Sequence, residues 1–498
     1  MSFVLLFSVF VIATCGLIYE LIASALASYL LGDSITQFST IIGVYLFSMG
    51  IGSFLSKYVS RNLISVFVRV EFLIGLVGGT SAALLFLLFE QVSSFRILLY
   101  SIVSLTGTLV GLEIPLLMRI LQEKFEFKDL VARVFTFDYI GALLASLLFP
   151  LVLVPHLGLV RSAFLFGAVN VIVGLWTLHL FKSDVAWPRA LRAGAIGILI
   201  FLVTGFVLSD RIMSFAETSS YPDKVVYAKS SPYQRIVLTR SHNDTRLFLN
   251  GNLQFSTRDE YRYHEALVHV GLATLENPKK VLVLGGGDGL AVREILKYPS
   301  VESITLVDLD AAMTSLFHNH ADLSALNGGA LRSPKVKIIN TDAFLWIKEN
   351  REVFDFIAVD FPDPSNFSIG KLYTTSFYKN LIAAVHDNGL VVIQSTSPYV
   401  AKKSFSCINT TLEAAGFMTT PYHAFVPSFG EWGYVIGTKK PFTAPTRFPE
   451  GLKFVNPSTV ATMLQFPPDM MVAKTEVNRL NNQILVRYFE DEWSEYVR

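Results

Sequence analysis

The segment FDFIAVDFPDPS, residues 354–365, carries two carboxylates three positions apart, Asp360 and Asp363, directly after an apolar run with the character of a buried strand. Neighbouring acids of this kind suit a cationic amine. One can accept a proton from an attacking ammonium group while the other holds the rest of the amine through charge-assisted hydrogen bonds. Read alone, the same residues also make a proline-bounded turn with solvated aspartates. A second stretch, VLVLGGGDGLAVRE at 281–294, runs from apolar β-formers into three glycines, Asp288 and a helical pattern. A nucleotide-like ligand can approach the backbone where Gly285, Gly286 and Gly287 lack side chains, and the free N–H groups of the helix start can meet it. Asp308 falls at the end of the next apolar run, SITLVDLD, about twenty residues on, where such folds place a carboxylate on ribose hydroxyls. Asp342 ends a third run, VKIINTD. There an acceptor-only carboxylate can take a hydrogen bond from an adenine amino group, or equally cap a helix beginning at Ala343.

These groups need a scaffold that brings strand ends to one edge. The strand-then-helix succession from Lys280 to about residue 440 predicts parallel β-α units in a doubly wound, Rossmann-like sheet, whose carboxyl ends form a ligand crevice. Ahead of it, VVYAKSSPYQRIVLTR and TRLFLNGNLQF alternate apolar and polar residues around SHND and predict a small β-hairpin subdomain over about 222–256. The first 209 residues differ in kind. Apolar runs near 3–31, 38–56, 65–88, 97–118, 134–154, 160–181 and 190–209 each approach the roughly 20 residues that a bilayer requires. The first contains Glu20, lacks a basic leader and is too long for a cleaved signal. The predicted organisation is therefore a seven-helix transmembrane domain over 1–209, a β-hairpin subdomain with a connecting helix over 210–275, a catalytic domain over 276–440, and a helical tail over 441–498.

A net charge of +1 without a basic stripe argues against a nucleic-acid partner. Cys15 and Cys407, the only two cysteines, make neither a disulfide framework nor a cysteine metal site. His242, His264, His269, His318 and His320 form no obvious metal-ligand set, and His318-x-His320 reads as a solvated helix end.

Over about residues 225–440 the chain resembles the spermidine synthase family, the polyamine aminopropyltransferases. Tyr233-Gln234 is similar to the family's early Tyr-Gln, and LNGNLQFSTRDEYRYHEALVH to its segment of Leu-Asp-Gly, Gln, Asp-Glu and Tyr-His-Glu. GGGDG, Asp308, the Asp342-Ala343 pair and a D-x-x-D-P turn then follow in the family's order. The resemblance implies transfer of an aminopropyl group from decarboxylated S-adenosylmethionine, a co-substrate in place of any cofactor, to a diamine such as putrescine, and a homo-oligomer. It makes Gln234, Asp308, Asp342 and Ala343 contacts to the nucleoside, beside the glycine turn of Gly285 and Gly287. His264, Asp288 and Asp363 would hold the amine, Asp360 would be the general base, and Tyr263 would orient the attacking nitrogen. On structural grounds alone, Tyr263 and His264 are equally a core pair on a helix.

Three departures stand out: Leu290 for the second glycine after Asp288, Asn250 for the aspartate of Leu-Asp-Gly, and SNFSIGKLY for a short Gly-Pro loop, with Phe367 where a proline meets adenine. PSFGEWG carries Phe429 where a tyrosine is usual. These changes bear on amine preference and resemble the membrane-attached branch of the family. Lys57, Arg61, Arg119, Lys124, Lys128, Arg133, Lys182, Arg189 and Arg192 fall on one side of the expected spans, Arg96 and Arg161 on the other. The basic side should be cytoplasmic, which with seven spans puts the catalytic domain outside, whereas a cytosolic aminopropyl donor argues for the opposite face. Glu20, Glu113 and Asp138 lie inside apolar runs, where acids face a cavity or a partner such as Arg119, or line a path for amines. Two other function classes fit parts of the pattern: an S-adenosylmethionine methyltransferase, which does not require D-x-x-D-P, and a membrane transporter or sensor whose soluble part binds without turnover.

Overall fold

The computed structural model describes residues 2–31, 34–89, 91–92, 94–122, 125–182, 185, 187–470 and 474–497. Lys124, one of the basic loop residues above, lies outside them. The chain divides into two compact units, Met1–Val225 and Val226–Arg498.

The first unit is built from seven long helices, α1 Ser2–Leu31, α2 Ser34–Leu55, α3 Leu63–Leu88, α4 Phe95–Leu121, α5 Phe127–Leu148, α6 Gly158–Leu180 and α7 Pro188–Ser220. All seven are long and apolar enough to cross a membrane. The last runs on past residue 209 to Ser220. Small residues let the helices touch. A Cβ on Gly111 of α4 would lie 2.1 Å from the Met49 carbonyl oxygen of α2, and one on Gly52 2.0 Å from that of Thr108. Gly75 of α3 and Gly167 of α6 also face each other, each Cβ position falling 2.7 Å or less from the other's carbonyl. Such contacts replace hydrophobic driving force with van der Waals packing. Polar groups turn inward: Tyr19 donates to Asn170 Oδ1 at 2.8 Å, which aims the Asn170 amide N–H at Glu71 Oε2, also 2.8 Å. Glu20 and Glu113 are buried as well, and Asp138 is half-buried. Arg119 donates to the Ser56 carbonyl. Large apolar side chains such as Phe47 and Ile97 stand on the outside.

The second unit opens with four strands, β1 Lys224–Ser230, β2 Arg235–Ser241, β3 Asp244–Leu249 and β4 Asn252–Ser256, in an antiparallel sheet of that order. The expected hairpin is its β2–β3 pair, with Ser241 opposite Asp244. A second turn follows at Asn250-Gly251, where φ of +50° and +82° suits the twist of a two-residue hairpin. Only Asn, Asp or Gly adopts that pair of conformations readily, so Asn250 serves the turn.

Helix α8, Glu260–Leu272, leads into a seven-stranded sheet. Its strands are β5 Lys280–Gly285, β6 Ser303–Asp308, β7 Val336–Asn340, β8 Phe354–Asp360, β9 Val385–Gln394, β10 Met418–Val426 and β11 Gly430–Thr438, in the order β10-β11-β9-β8-β5-β6-β7. The five from β5 to β9 pair in parallel, as a doubly wound sheet demands. The last two do not. β10 and β11 are joined by three residues, too few for a crossover, so they pair antiparallel with each other, and β11 runs antiparallel to β9. The connecting helices cover both faces. α8, α9 Leu290–Ile295 and α10 Ala311–Asn319 bury Leu267, Val292 and Phe317 on one. On the other, α11 Ala343–Glu349, α12 Thr375–Ala384 and α13 Lys402–Ala414 bury Ile347, Leu381 and Ile408. The tail covers both faces: α14, Pro457–Met463, buries Val460 and Met463 in the first layer, while α15, Ile484–Val497, buries Leu485 in the second, where the Asn478 amide donates to the carbonyls of Gly370 and Tyr373.

Candidate active site

Parallel pairing sets the carboxyl ends of β6, β5, β8 and β9 side by side. Gly285 is opposite Asp360, and Asp308 opposite Asn340. The turn after β5 needs glycine for two separate reasons. Gly285 sits at φ +81°, and a Cβ there would be 2.1 Å from the Asp360 carbonyl oxygen, while one on Gly287 would be 2.7 Å from Asp308 Oδ2. Asp308 takes the Gly287 N–H at 3.0 Å and the Asp310 N–H at 2.8 Å. Burial lifts its pKa to about 6 against these two bonds. The carboxylate keeps lone pairs for further donors, as a contact to vicinal hydroxyls requires.

Two other expected nucleoside contacts are already engaged with protein groups. Gln234 Nε2 donates to Asp310 Oδ2 at 2.9 Å, alongside Ser231 Oγ at 2.7 Å, which ties the β1–β2 connection to the loop after β6. Asp342 does cap α11, since Oδ1 accepts the Phe344 N–H at 2.8 Å. Its Oδ2 faces outward and accepts from Lys371 Nζ at 2.6 Å. Ala343 is the first, buried residue of that helix. Lys371 belongs to the SNFSIGKLY segment that departs from the family pattern.

The expected amine-side residues gather around Asp360. Tyr263 of α8 is buried and donates to Asp360 Oδ1 at 2.6 Å, so it is a site residue and not merely a core aromatic. Burial raises the Asp360 pKa, and the neighbouring His264 charge and the Tyr263 hydroxyl work against that rise. Asp288 accepts the Leu290 N–H at 2.9 Å, and burial brings it to about 6 despite the pull of His264. His264 Nδ1 faces two acceptors, the Glu260 carbonyl at 2.8 Å and Glu260 Oε2 at 2.9 Å, so Nδ1 must carry a proton. Arg293 clamps Glu260 through two bonds of 2.9 Å. Burial alone would discharge His264; Glu260, with Asp288 and Asp360 nearby, instead carries its pKa up to about 9. Burial lifts Asp363 to about 7 against side-chain hydrogen bonds from Gln394 and Thr396. Its Oδ1 is withdrawn from solvent.

Aromatic rings close this pocket. Phe429, Trp432 and Tyr434 lie 6.0, 6.4 and 5.6 Å from the Tyr263 ring, centroid to centroid. Trp432 Nε1 donates to Gln394 Oε1 at 3.2 Å. The β10–β11 turn is clamped to the start of α8, because the Asp259 carboxylate accepts the Ser428 N–H at 2.6 Å and the Ser428 hydroxyl at 2.9 Å.

Glu260, Arg293, Asp310, Lys371, Gln394, Thr396 and Trp432 are thus part of the site or its support without having been singled out in the sequence. A signal existed for two of them. Gln394 ends the apolar run after β8, so it had to reach the same sheet edge, and Glu260 stands one helical turn before His264. Asp310 and Thr396 follow Asp308 and Gln394 by two residues, whereas Arg293, Lys371 and Trp432 meet their partners across separations that no local pattern announces.

Together these groups place an acceptor for a proton, Asp360, between a glycine turn built for a nucleoside and a set of buried acids and rings suited to an alkyl chain with charged ends. Residues 260–446 match the spermine/spermidine synthase domain. Along almost the whole chain, 99% of it and 99% of the relative, the sequence is 53% identical to a polyamine aminopropyltransferase of Leptospira interrogans. It is 54% identical to polyamine aminopropyltransferase 2 of Ralstonia nicotianae, again over 99% of both. A crystal structure of a spermidine synthase in complex with the transition-state analogue AdoDATO is 27% identical, with a TM-score of 0.46 over 49% of this chain and 86% of that one.

Proposed function

The chain belongs to the polyamine aminopropyltransferase, or spermine/spermidine synthase, family, and we propose that it transfers the aminopropyl group of decarboxylated S-adenosylmethionine to a diamine of the putrescine type, giving spermidine and methylthioadenosine. The observation that carries this is the Asp360 carboxylate, held by Tyr263 against the glycine turn, with a second buried carboxyl oxygen, that of Asp363, three residues on. A diamine reaches neutral solution with both nitrogens protonated. One nitrogen gives a proton to Asp360 and attacks the methylene carbon next to the sulfonium. The new C–N bond forms as the C–S bond breaks; sulfur keeps that electron pair and leaves as a neutral thioether. The product nitrogen becomes a secondary ammonium. Because the sulfonium is already an activated leaving group, alignment of the two reactants supplies much of the acceleration. Asp308 and the turn at Gly285 and Gly287 fit the ribose end of the donor, with Gln234, Asp342 and Ala343 further along it. His264, Asp288 and Asp363 fit the amine. Incubating the purified protein with decarboxylated S-adenosylmethionine, with S-adenosylmethionine itself, and with a panel of diamines, then weighing the products by mass spectrometry, tests this directly. A gain of one aminopropyl unit on the amine is expected; a methyl gain, or no product, would reject it.

We further propose that the seven helices of the first unit span a cell membrane and that the protein is a homo-oligomer. The spanning reading is supported by helix length and composition, by apolar side chains on the outside, and by Glu20, Glu71 and Glu113 turned inward. Loop charge argues for the second unit outside the cytoplasm, whereas a cytosolic donor argues for the inside. A reporter fused to the C-terminus that is active only outside would uphold the loop-charge argument; one active only inside would uphold the donor argument. Light scattering of the detergent-solubilised protein gives the number of copies.

A further inference from the structure

The first turn of α8 buries a negative charge that takes no part in the transfer written above. Glu260 is 5% exposed, and its two carboxylate oxygens accept from Nη1 and Nη2 of Arg293, each at 2.9 Å. Arg293 is itself fixed, because Nε donates to Glu294 Oε1 at 2.9 Å and Nη1 to the Leu326 carbonyl at 3.0 Å. Glu294 in turn meets His269 Nε2, in the last turn of α8, at 2.8 Å. Glu260 therefore reaches His264 in one orientation, with Oε2 2.9 Å from Nδ1. The Glu260 carbonyl accepts from the same nitrogen at 2.8 Å, so Nδ1 keeps its hydrogen whether the ring is charged or neutral. Only Nε2 is left to gain or lose a proton. His264 is 2% exposed and packs edge-on to the Tyr263 ring. The charged groups acting on it are Glu260 from its own helix, Asp288 from the turn after β5 and Asp360 from the end of β8, with Arg293 of α9 behind Glu260. Among the described residues Glu260 alone of these acids bonds to the ring. A buried imidazole stays charged only where a fixed negative partner offsets its lost hydration, and Glu260 is that partner.

We propose that Glu260, oriented by Arg293, is a positioning residue for the transfer: it holds the His264 imidazolium beside Asp360 and so keeps that base ionised, ready for the proton of the attacking nitrogen. This rests on the aminopropyl-transfer reading. Glu260 acts on Asp360 through the ring. A positive charge a few ångströms away lowers a carboxyl by about 1–3 pH units, so discharging the ring should move the ionisation of Asp360 upward. A protonated Asp360 cannot accept the amine's proton, and activity on the acid side is lost first.

The test is the pH profile of kcat for the full-length protein, saturated with decarboxylated S-adenosylmethionine and putrescine. With the amine bound, its ammonium groups hold Asp288 and Asp363 ionised, and the acid limb reports the proton acceptor. Glu260→Gln keeps an oxygen for the Nδ1 N–H and removes the charge. Its acid limb should lie about one pH unit higher, which is a roughly tenfold loss of kcat below the limb that narrows as pH rises. Glu260→Asp, which retains the charge, should bring the limb back toward the wild-type position. His264→Gln removes the ring charge at its source and should move the limb as far as Glu260→Gln does; the two together should move it no further. Methylthioadenosine affinity reports whether each variant is folded. If Glu260→Gln fails that check, Glu260→Gln with Arg293→Met withdraws both charges, leaves neither partner buried alone, and carries the same comparison. A limb that stays at the wild-type position while activity falls evenly at every pH is the result of a merely structural pair. That result, or a double variant that shifts further than either single one, overturns the proposal and leaves aminopropyl transfer intact. Absence of any aminopropylated product from wild-type protein overturns both.

Discussion

Asp360 owes its usefulness to contradictory surroundings. Burial favours its protonated form, while Tyr263 and the His264 charge favour the carboxylate. Asp360→Asn keeps the shape and can still accept the Tyr263 hydroxyl, yet cannot take a proton. Turnover should fall about a thousandfold, within the usual range for a lost general base, with methylthioadenosine affinity unchanged in a direct binding assay. Lys371 leads to an opposite expectation. Its ammonium occupies Asp342 Oδ2, the atom expected to meet an adenine amino group, in a pair that is about one-third exposed on each side. A partly exposed ion pair is worth at most about 1 kcal/mol, so Lys371→Met should tighten nucleoside binding by up to about fivefold, seen as a lower KM for the donor without change in kcat. The carboxylates Asp288, Asp308, Asp342, Asp360 and Asp363 could be read from the sequence because each directly follows a strand-like run or a glycine turn. Lys371 could not, because its partner lies 29 residues away and only the path of the intervening loop brings them together.

Helix α8 does more than present Tyr263 and His264. Its first residue, Glu260, is held to about 2 despite burial, through the bonds from His264 and Arg293. The sign of its effect on stability follows. The Glu260 contribution is present above its ordinary value of 4.5 and is lost as pH falls toward 2. The His264 contribution is present below its ordinary 6.5 and is lost as pH rises through about 9. Glu260→Gln should therefore cost most between pH 4.5 and 6.5, about 3–5 kcal/mol for one member removed from a buried pair, and less on either side. Thermal melts of wild type and variant across pH 3–10, in steps of about one unit, would show it; a constant difference in melting temperature would mean that the pair stays neutral. At this scale the parallel sheet was legible, since strand and helix periods alternate plainly from Lys280. The antiparallel β10–β11 pair was hidden in the same alternation, and only the short connection at 427–429 betrays it. The four-stranded sheet is half legible: SHND stands out as a turn, whereas Asn250-Gly251, the stronger hairpin signal, coincides with a departure from the family motif and is masked by it.

Across the whole molecule, hydropathy divides the chain near where compactness does, at Val225 against an expected 209. The difference arises because α7 continues through Ser209 and Asp210, which pair with Arg161 of α6, so polar residues there extend the helix rather than end it. The seven apolar helices were countable from composition, but which of them touch was not. That depends on glycines whose effect is felt only when a second backbone comes near. Where α2 and α4 cross at Gly52 and Gly111, the fit leaves no room for even a methyl group. Gly111→Leu should separate these helices and lower the yield of folded protein, judged by a monodisperse peak in gel filtration. The same crossing suggests that the covalent link between these segments is dispensable. A gene severed between α3 and α4 and expressed as two fragments should yield halves that find each other and copurify in detergent, in lower yield when the second carries Gly111→Leu.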